Sequence, residues 1–235
     1  MNHSAKIVAF REMPVFKHLT TEQIDLMAEH AVFVQMPKHQ IIYSIATKMD
    51  YVYIVEKGSV KLGVLAENQK LLTKDIIYEN GIFGENIFSS NDETREFAET
   101  MMDTKLYKIP VNIFRQLVTQ NSLFANTIMN IILTKLQIIE ERLQSFVFCK
   151  AKERIVDFIY RTGLRKGIKI GIKECLIDHG MSHKEIAYMT DTSRQTVARI
   201  LNELKKEDYI HYGSHKSSKI LIRDMAVMQH YKWVG

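Results

Sequence analysis

Within "DTSRQTVARILNELKKE", residues 191 to 207, four side chains carry the hydrogen-bonding chemistry that base edges require: Arg194, Gln195, Arg199 and Asn202. An arginine donates two parallel bonds to guanine O6 and N7, and a glutamine pairs in the same two-point manner with adenine. Each good pair gives about 1–3 kcal/mol of discrimination between bases. Val197, Ile200, Leu201 and Leu204 stand at i, i+3, i+4 and i+7, so a helix here buries one apolar face and turns the polar residues outward. Ser193 and Thr196 add hydroxyls for phosphates, which position such a helix without reading sequence. An ordinary surface helix has the same apolar stripe, so the flanking elements must separate the two readings.

Other chemistries lack their residue sets. Only Cys149 and Cys175 occur, without a CxxC pair or Cys/His zinc spacing, which argues against a disulfide framework and a structural zinc. Two cysteines cannot supply the ligands of an iron–sulfur cluster. The nine histidines show no spacing that singles out a haem ligand, and no metal site is expected. Cys149, beside Lys150 and Lys152, is either a thiol with a lowered pKa that senses oxidants or simply a small apolar residue.

The elements around residues 191–207 favour a reading head. Ser182 and Glu185 in "SHKE" form a capping box ahead of a short helix, "HKEIAYM". Thr192 and Gln195 repeat that signature at the next helix, leaving only "TD" between the two: helix, tight turn, helix. After it, "YIHYGSHKSSKILIRD" reads as a hairpin with a basic, serine-rich tip containing Lys216 and Lys219. The DNA-contact candidates are therefore Ser182, His183, Thr192, Ser193, Arg194, Gln195, Thr196, Arg199 and Lys216. Charge agrees: residues 1–149 hold 15 basic and 17 acidic side chains, whereas residues 150–235 hold 17 and 10. A basic domain joined to a near-neutral one suits a polyanion partner.

Upstream, Val32 to Pro110 carries short β-rich runs, "AVFVQ", "QIIYS", "YVYIVEKGSVKLGVL", "DIIYENGIFGE" and "KLYKIP", with turns at Lys57-Gly58 and Asn80-Gly81. That pattern predicts a barrel or jelly-roll-like sandwich. Thr20 and Gln23 cap a short helix before it. A cupin-like metal enzyme would use the same architecture, but the strands contain no HxH pair and His39 stands alone. Between Pro110 and Gly163 no Gly or Pro occurs, which predicts one long helix. Its residues Ala125, Met129, Ile132, Leu136, Ile139, Leu143 and Phe146 alternate spacings of four and three, a heptad seam for pairing with another helix. Ile128, Ile131 and Ile138 form a second stripe suited to packing on the barrel. A protein–protein adaptor would keep the seam but need not keep the basic face of Arg194, Arg199, Lys205 and Lys216. The N-terminus lacks a signal core, and apolar runs fall short of the ~18 residues of a membrane span, so a cytoplasmic protein without a membrane anchor is expected.

"SHKEIAYMTDTSRQTVARILNELKKEDYI" resembles the helix-turn-helix of the Crp/Fnr superfamily of bacterial transcription regulators, and "YVYIVEKGSVKLG" with "GIFGE" is similar to its cyclic-nucleotide-binding β-roll. The resemblance covers nearly the whole chain. It implies an α+β protein with a β-roll sensor domain (1–110), a long dimerisation helix (111–148) and a winged helix-turn-helix (149–235). It further implies no enzymatic activity and a homodimer on two-fold symmetric double-stranded DNA, in contact with RNA polymerase. Arg194, Gln195 and Arg199 fall where family members contact bases. The middle position is often Glu in the family, which accepts from cytosine, so Gln195 implies a different base there. For the effector pocket the resemblance points to Gly84, Glu85 and Arg95, followed by Glu96 where nucleotide binders have a small hydroxyl. On the long helix, Ile139 and Glu140 stand where nucleotide-responsive members have polar groups. A cyclic nucleotide is thus an open but not favoured effector, beside haem, an oxidant or no ligand.

Overall fold

The β-rich run folds into two four-stranded antiparallel sheets. The strands are β1 (Val32–Met36), β2 (Ile41–Tyr43), β3 (Tyr51–Lys57), β4 (Val60–Leu65), β5 (Leu71–Ile77), β6 (Ile82–Phe83), β7 (Glu96–Thr100) and β8 (Thr104–Pro110). One sheet has the order β1-β8-β3-β6, the other β2-β7-β4-β5. The computed structural model describes residues 2–65, 71–84, 93–178, 180–212 and 219–230. The chain divides into two units, residues 1–137 and 138–235.

The run "YVYIV" in β3 is apolar throughout because both faces of its sheet are covered. Val52 and Ile54 join a core with Phe10, Phe16, Met27, Phe114 and Phe124 from the helices, while Tyr53 and Val55 face the roll interior with Tyr43, Leu62, Phe83 and Ala98. The helices are α1 (His3–Glu12), a 3-10 turn (Pro14–Phe16), α2 (Thr21–His30), α3 (Val111–Gln120) and α4 (Ser122–Phe148). The Thr20–Gln23 capping box forms with both bonds in place. Three features depart from the sequence expectations. Strand β7 and helix α1 carry no clear periodic signal and were not expected. At the β5–β6 turn the positive φ falls on Asn80 (63°), which tolerates it, rather than on Gly81. The long helix is interrupted at Asn121: its Oδ1 accepts from Phe124 N at 3.0 Å, and its Nδ2 donates to His18 O and Gln23 Oε1. A side chain that starts a new helix and ties it to α2 outweighs the absence of Gly or Pro.

Unit 138–235 continues α4 and adds α5 (Ala151–Lys166), β9 (Ile168–Lys169), β10 (Cys175–Asp178), α6 (His183–Met189), α7 (Arg194–Lys206), β11 (Ile210–Tyr212), β12 (Lys219–Ile222) and α8 (Met225–His230). Its antiparallel sheet runs β11-β12-β10-β9. Helix α5 passes through Gly163, where a Cβ would stand 3.1 Å from Ile222 Cδ1, so glycine permits a close approach to the sheet. The architecture is α+β: β-roll, long helix, winged helix-turn-helix.

Candidate DNA-reading helix and effector site

Helix α6 begins at the Ser182–Glu185 capping box: Glu185 Oε2 accepts from Ser182 N at 2.7 Å, and Ser182 Oγ accepts from Glu185 N at 3.3 Å. It ends with Asp191 at φ 48° and Thr192 N donating to Ala187 O at 3.0 Å, the bond pattern of a tight helix stop. Asp191 therefore takes the left-handed position that glycine more often fills. Helix α7 then starts one residue later than the sequence signature placed it. Ser193, in extended backbone, is the cap, accepting from Thr196 N at 3.0 Å. Thr192 instead donates its hydroxyl to Ser193 O. The shift puts Gln195 at the second helical position, where its side chain is not needed to close a capping box.

Val197, Ile200, Leu201 and Leu204 are buried, packing the stripe as its spacing requires, and Arg194, Gln195, Arg199 and Asn202 are exposed. Arg199 pairs with Glu203 one turn on. Asn202 Oδ1 accepts from Tyr212 OH at 2.5 Å, and Lys205 donates to Tyr212 O at 3.2 Å with its ammonium 4.9 Å from that ring. Tyr212 ends β11, so the root of the hairpin is fastened to α7. Of the other candidates, Ser182 is exposed while His183, Thr192 and Thr196 are half-buried. Lys216 lies outside the described residues.

Two arginines that the sequence did not single out hold the turn. Arg142 of α4 donates to Tyr188 O at 2.7 Å, and Arg154 of α5 donates to Thr190 O at 2.8 Å and Asp191 O at 2.9 Å. No local signal reveals them, since each reaches 36 residues or more along the chain.

The effector candidates are distributed unevenly. Gly84 closes β6 at φ 90°, and a Cβ there would stand 3.1 Å from Tyr51 O, so glycine is required. Glu85 lies outside the described residues. Arg95 is exposed, whereas Glu96 is 4% exposed, accepting from Tyr43 OH at 2.9 Å and from Lys74 Nζ at 2.8 Å. Lys74 and Tyr43 were missed by sequence reasoning, because neither lies near Glu96 in sequence. Inside the roll Tyr53 stacks on Phe83 at 5.0 Å, and Tyr43 packs on both. Burial, with smaller effects of Tyr51 and Asp50, pushes the Tyr53 phenol up to about 12, so it stays protonated. Ile139 and Glu140 are exposed on α4 in the second unit. Neither cysteine is in a disulfide: Cys149 is half-buried, and Cys175 is buried, where burial raises its thiol pKa despite Lys169.

Along the seam, Met129, Ile132, Leu136, Ile139 and Leu143 are 39–62% exposed, Ala125 is half-buried, and Phe146 is half-buried with the Arg142 and Arg154 guanidinium groups over its ring. Of the second stripe, Ile128 is buried in the helical core and Ile131 packs against it. Helix α4 is also long and apolar enough to cross a membrane by length and composition. Yet Asn130, Gln137, Glu140, Glu141 and Gln144 are exposed on it, so its apolar character is one-sided.

Comparison with known proteins agrees with this geometry. Residues 33–121 match the family model "Cyclic nucleotide-binding domain", and residues 153–231 match "Crp-like helix-turn-helix domain". The chain is 22% identical over 223 residues to the global nitrogen regulator of Synechococcus elongatus, covering 93% of this chain and 96% of that protein. It is 22% identical to the cyclic AMP receptor protein of Thermus thermophilus, covering 92% and 95%. The structure of FixK2 from Bradyrhizobium japonicum superposes with a TM-score of 0.76 at 19% identity, covering 87% of this chain and 98% of that one. Its β-roll of cyclic-nucleotide-binding type and its Crp-like helix-turn-helix make this chain a member of the Crp/Fnr family of signal-sensing, DNA-binding transcription regulators.

Proposed function

We propose that the protein is a cytoplasmic, non-enzymatic regulator that acts as a homodimer paired through the α4 seam and binds a two-fold symmetric operator. Arg194, Gln195 and Arg199 read bases in the major groove. Ser182, His183, Thr192, Ser193, Thr196 and Lys216 are its phosphate contacts, and the bound dimer presents a surface to RNA polymerase. The observation that carries the reading is the exposure of Arg194 and Gln195 in the first turn of a capped helix, whose apolar face is fully buried and whose far end is fastened to a hairpin. Those are the features that put base-contacting side chains at the N-terminal end of a recognition helix.

The roll senses a signal other than a cyclic nucleotide. A cyclic phosphate needs donors, and next to Arg95 this chain has a buried carboxylate already satisfied by Lys74 and Tyr43. Bringing an anion beside it costs repulsion, and diverting Lys74 leaves Glu96 buried without its cation.

Selection of bound sequences from a randomised DNA library tests the reading. A palindromic consensus is expected for the wild type, and Arg194→Ala should relax one base position in each half-site. Gln195→Glu should replace an adenine preference by cytosine at one position. Variants that bind every sequence equally weakly, with unchanged base preferences, would refute base reading by α7.

A further inference from the structure

Arg142 and Arg154 do more than satisfy carbonyls of one turn. Arg154 donates through all three nitrogens: Nε to Thr190 O (2.8 Å), Nη2 to Asp191 O (2.9 Å) and Nη1 to Cys149 O (2.7 Å). The first two acceptors belong to the turn that leads into α7, and the third lies just past the end of α4. Arg142, near that end of α4, donates to Tyr188 O in the last turn of α6. Both guanidinium groups lie over the Phe146 ring, their carbons 5.4 and 5.8 Å from its centroid. Carbonyls at a helix C-terminus have no partner within their own helix and carry the negative end of the dipole, so cations are favoured there.

We propose that Arg142, Phe146 and Arg154 form a yoke that fixes α7 against the end of the dimer helix, and thereby sets the half-site spacing the protein accepts. The proposal rests on the dimeric reading above. Between α4 and α5 the covalent link is only residues 149 and 150. A planar guanidinium with its donors in a fixed fork can meet three separate carbonyls only when α4, α5 and the turn hold one arrangement. Because α7 begins three residues after Asp191, displacing the turn re-aims Arg194 and Gln195. In a symmetric dimer that displacement enters twice, and the distance between recognition helices is what matches one helical turn of DNA. These are positioning residues: neither arginine is assigned a base contact.

The test uses the full chain and a library of two fixed half-sites separated by spacers of different length, with sedimentation of the same samples. The wild type should favour one spacer by about tenfold or more; Arg154→Gln and Arg154→Lys should bring neighbouring spacers within about threefold, leaving half-site base preferences unchanged. Arg142→Lys, which can still donate to Tyr188 O, should behave as wild type, whereas Arg142→Gln should not. Thermal unfolding identifies any variant that fails to fold, and the Lys variants keep the charge. A dimeric Arg154 variant with the wild-type spacer profile overturns the yoke, as does one weakened by the same factor at every spacer. A wild type that sediments as a monomer overturns the dimer, and with it the spacing role.

Discussion

Replacing Leu136 by alanine should weaken the dimer by an amount that the exposure of this residue sets. Leu136 is 49% exposed in the single chain, so about half of its transfer free energy remains to be gained at an interface. Full burial of a leucine side chain is worth about 1.5–3 kcal/mol, which leaves about 0.75–1.5 kcal/mol per chain. A two-fold seam contains the residue twice, giving about 1.5–3 kcal/mol, or roughly 10- to 150-fold in the dimer dissociation constant. Sedimentation equilibrium over a concentration series reads this directly. Leu123→Ala is the control: Leu123 is 56% exposed on the same helix but lies off the heptad positions, so it should leave the dimer unchanged. Equal effects of the two substitutions, or a wild type that is monomeric at every concentration, would refute the assignment of the seam.

Other consequences concern the cap, the acid limb, the effector and the hairpin. Ser193→Ala should lower thermal stability by about 1 kcal/mol through loss of the α7 cap, while Thr192→Ala should be close to neutral; the reverse order would restore the earlier helix start. The Glu99 pKa is set by burial, which raises it, against hydrogen bonds from His39 and Lys61 at 3.1 Å each, which win and hold it below its usual 4.5. Its stabilisation is therefore present above that value and lost as pH falls through the lowered folded pKa. Glu99→Gln should cost stability at neutral pH and progressively less on acidification, so a difference that grows in acid would contradict this assignment. Cyclic AMP or cyclic GMP should leave both melting temperature and DNA affinity unchanged, and a clear upward shift would mean that Glu96 gives way to the phosphate. Lys216→Ala should weaken binding to all sequences and lower the salt slope by about 1; an effect confined to one sequence would oppose a phosphate role.

How much was legible in advance depended on how local the determining interaction is. The Ser182–Glu185 box and the apolar stripe of Val197, Ile200, Leu201 and Leu204 involve neighbours within one or two turns. They appear in the folded protein as their spacing implies. The β-roll was recognisable as a class, yet β7 was not, because "EFAET" mixes two carboxylates into a strand that only its position inside the roll makes buried. Asn121 breaks the long helix by reaching His18 and Gln23, about 100 residues away.

The amino-acid sequence by itself determined the architecture, helix α7 and its outward side chains, since periodicity and capping act over a few residues. Only the tertiary structure decided which residues serve the site from a distance. Glu96 became a satisfied buried carboxylate once folding brought Lys74 and Tyr43 to it, and Arg142 and Arg154 came to grip the turn before α7. Those bonds join residues 22 to 53 positions apart, and a carboxylate or a guanidinium finds such partners only after the chain between them has folded.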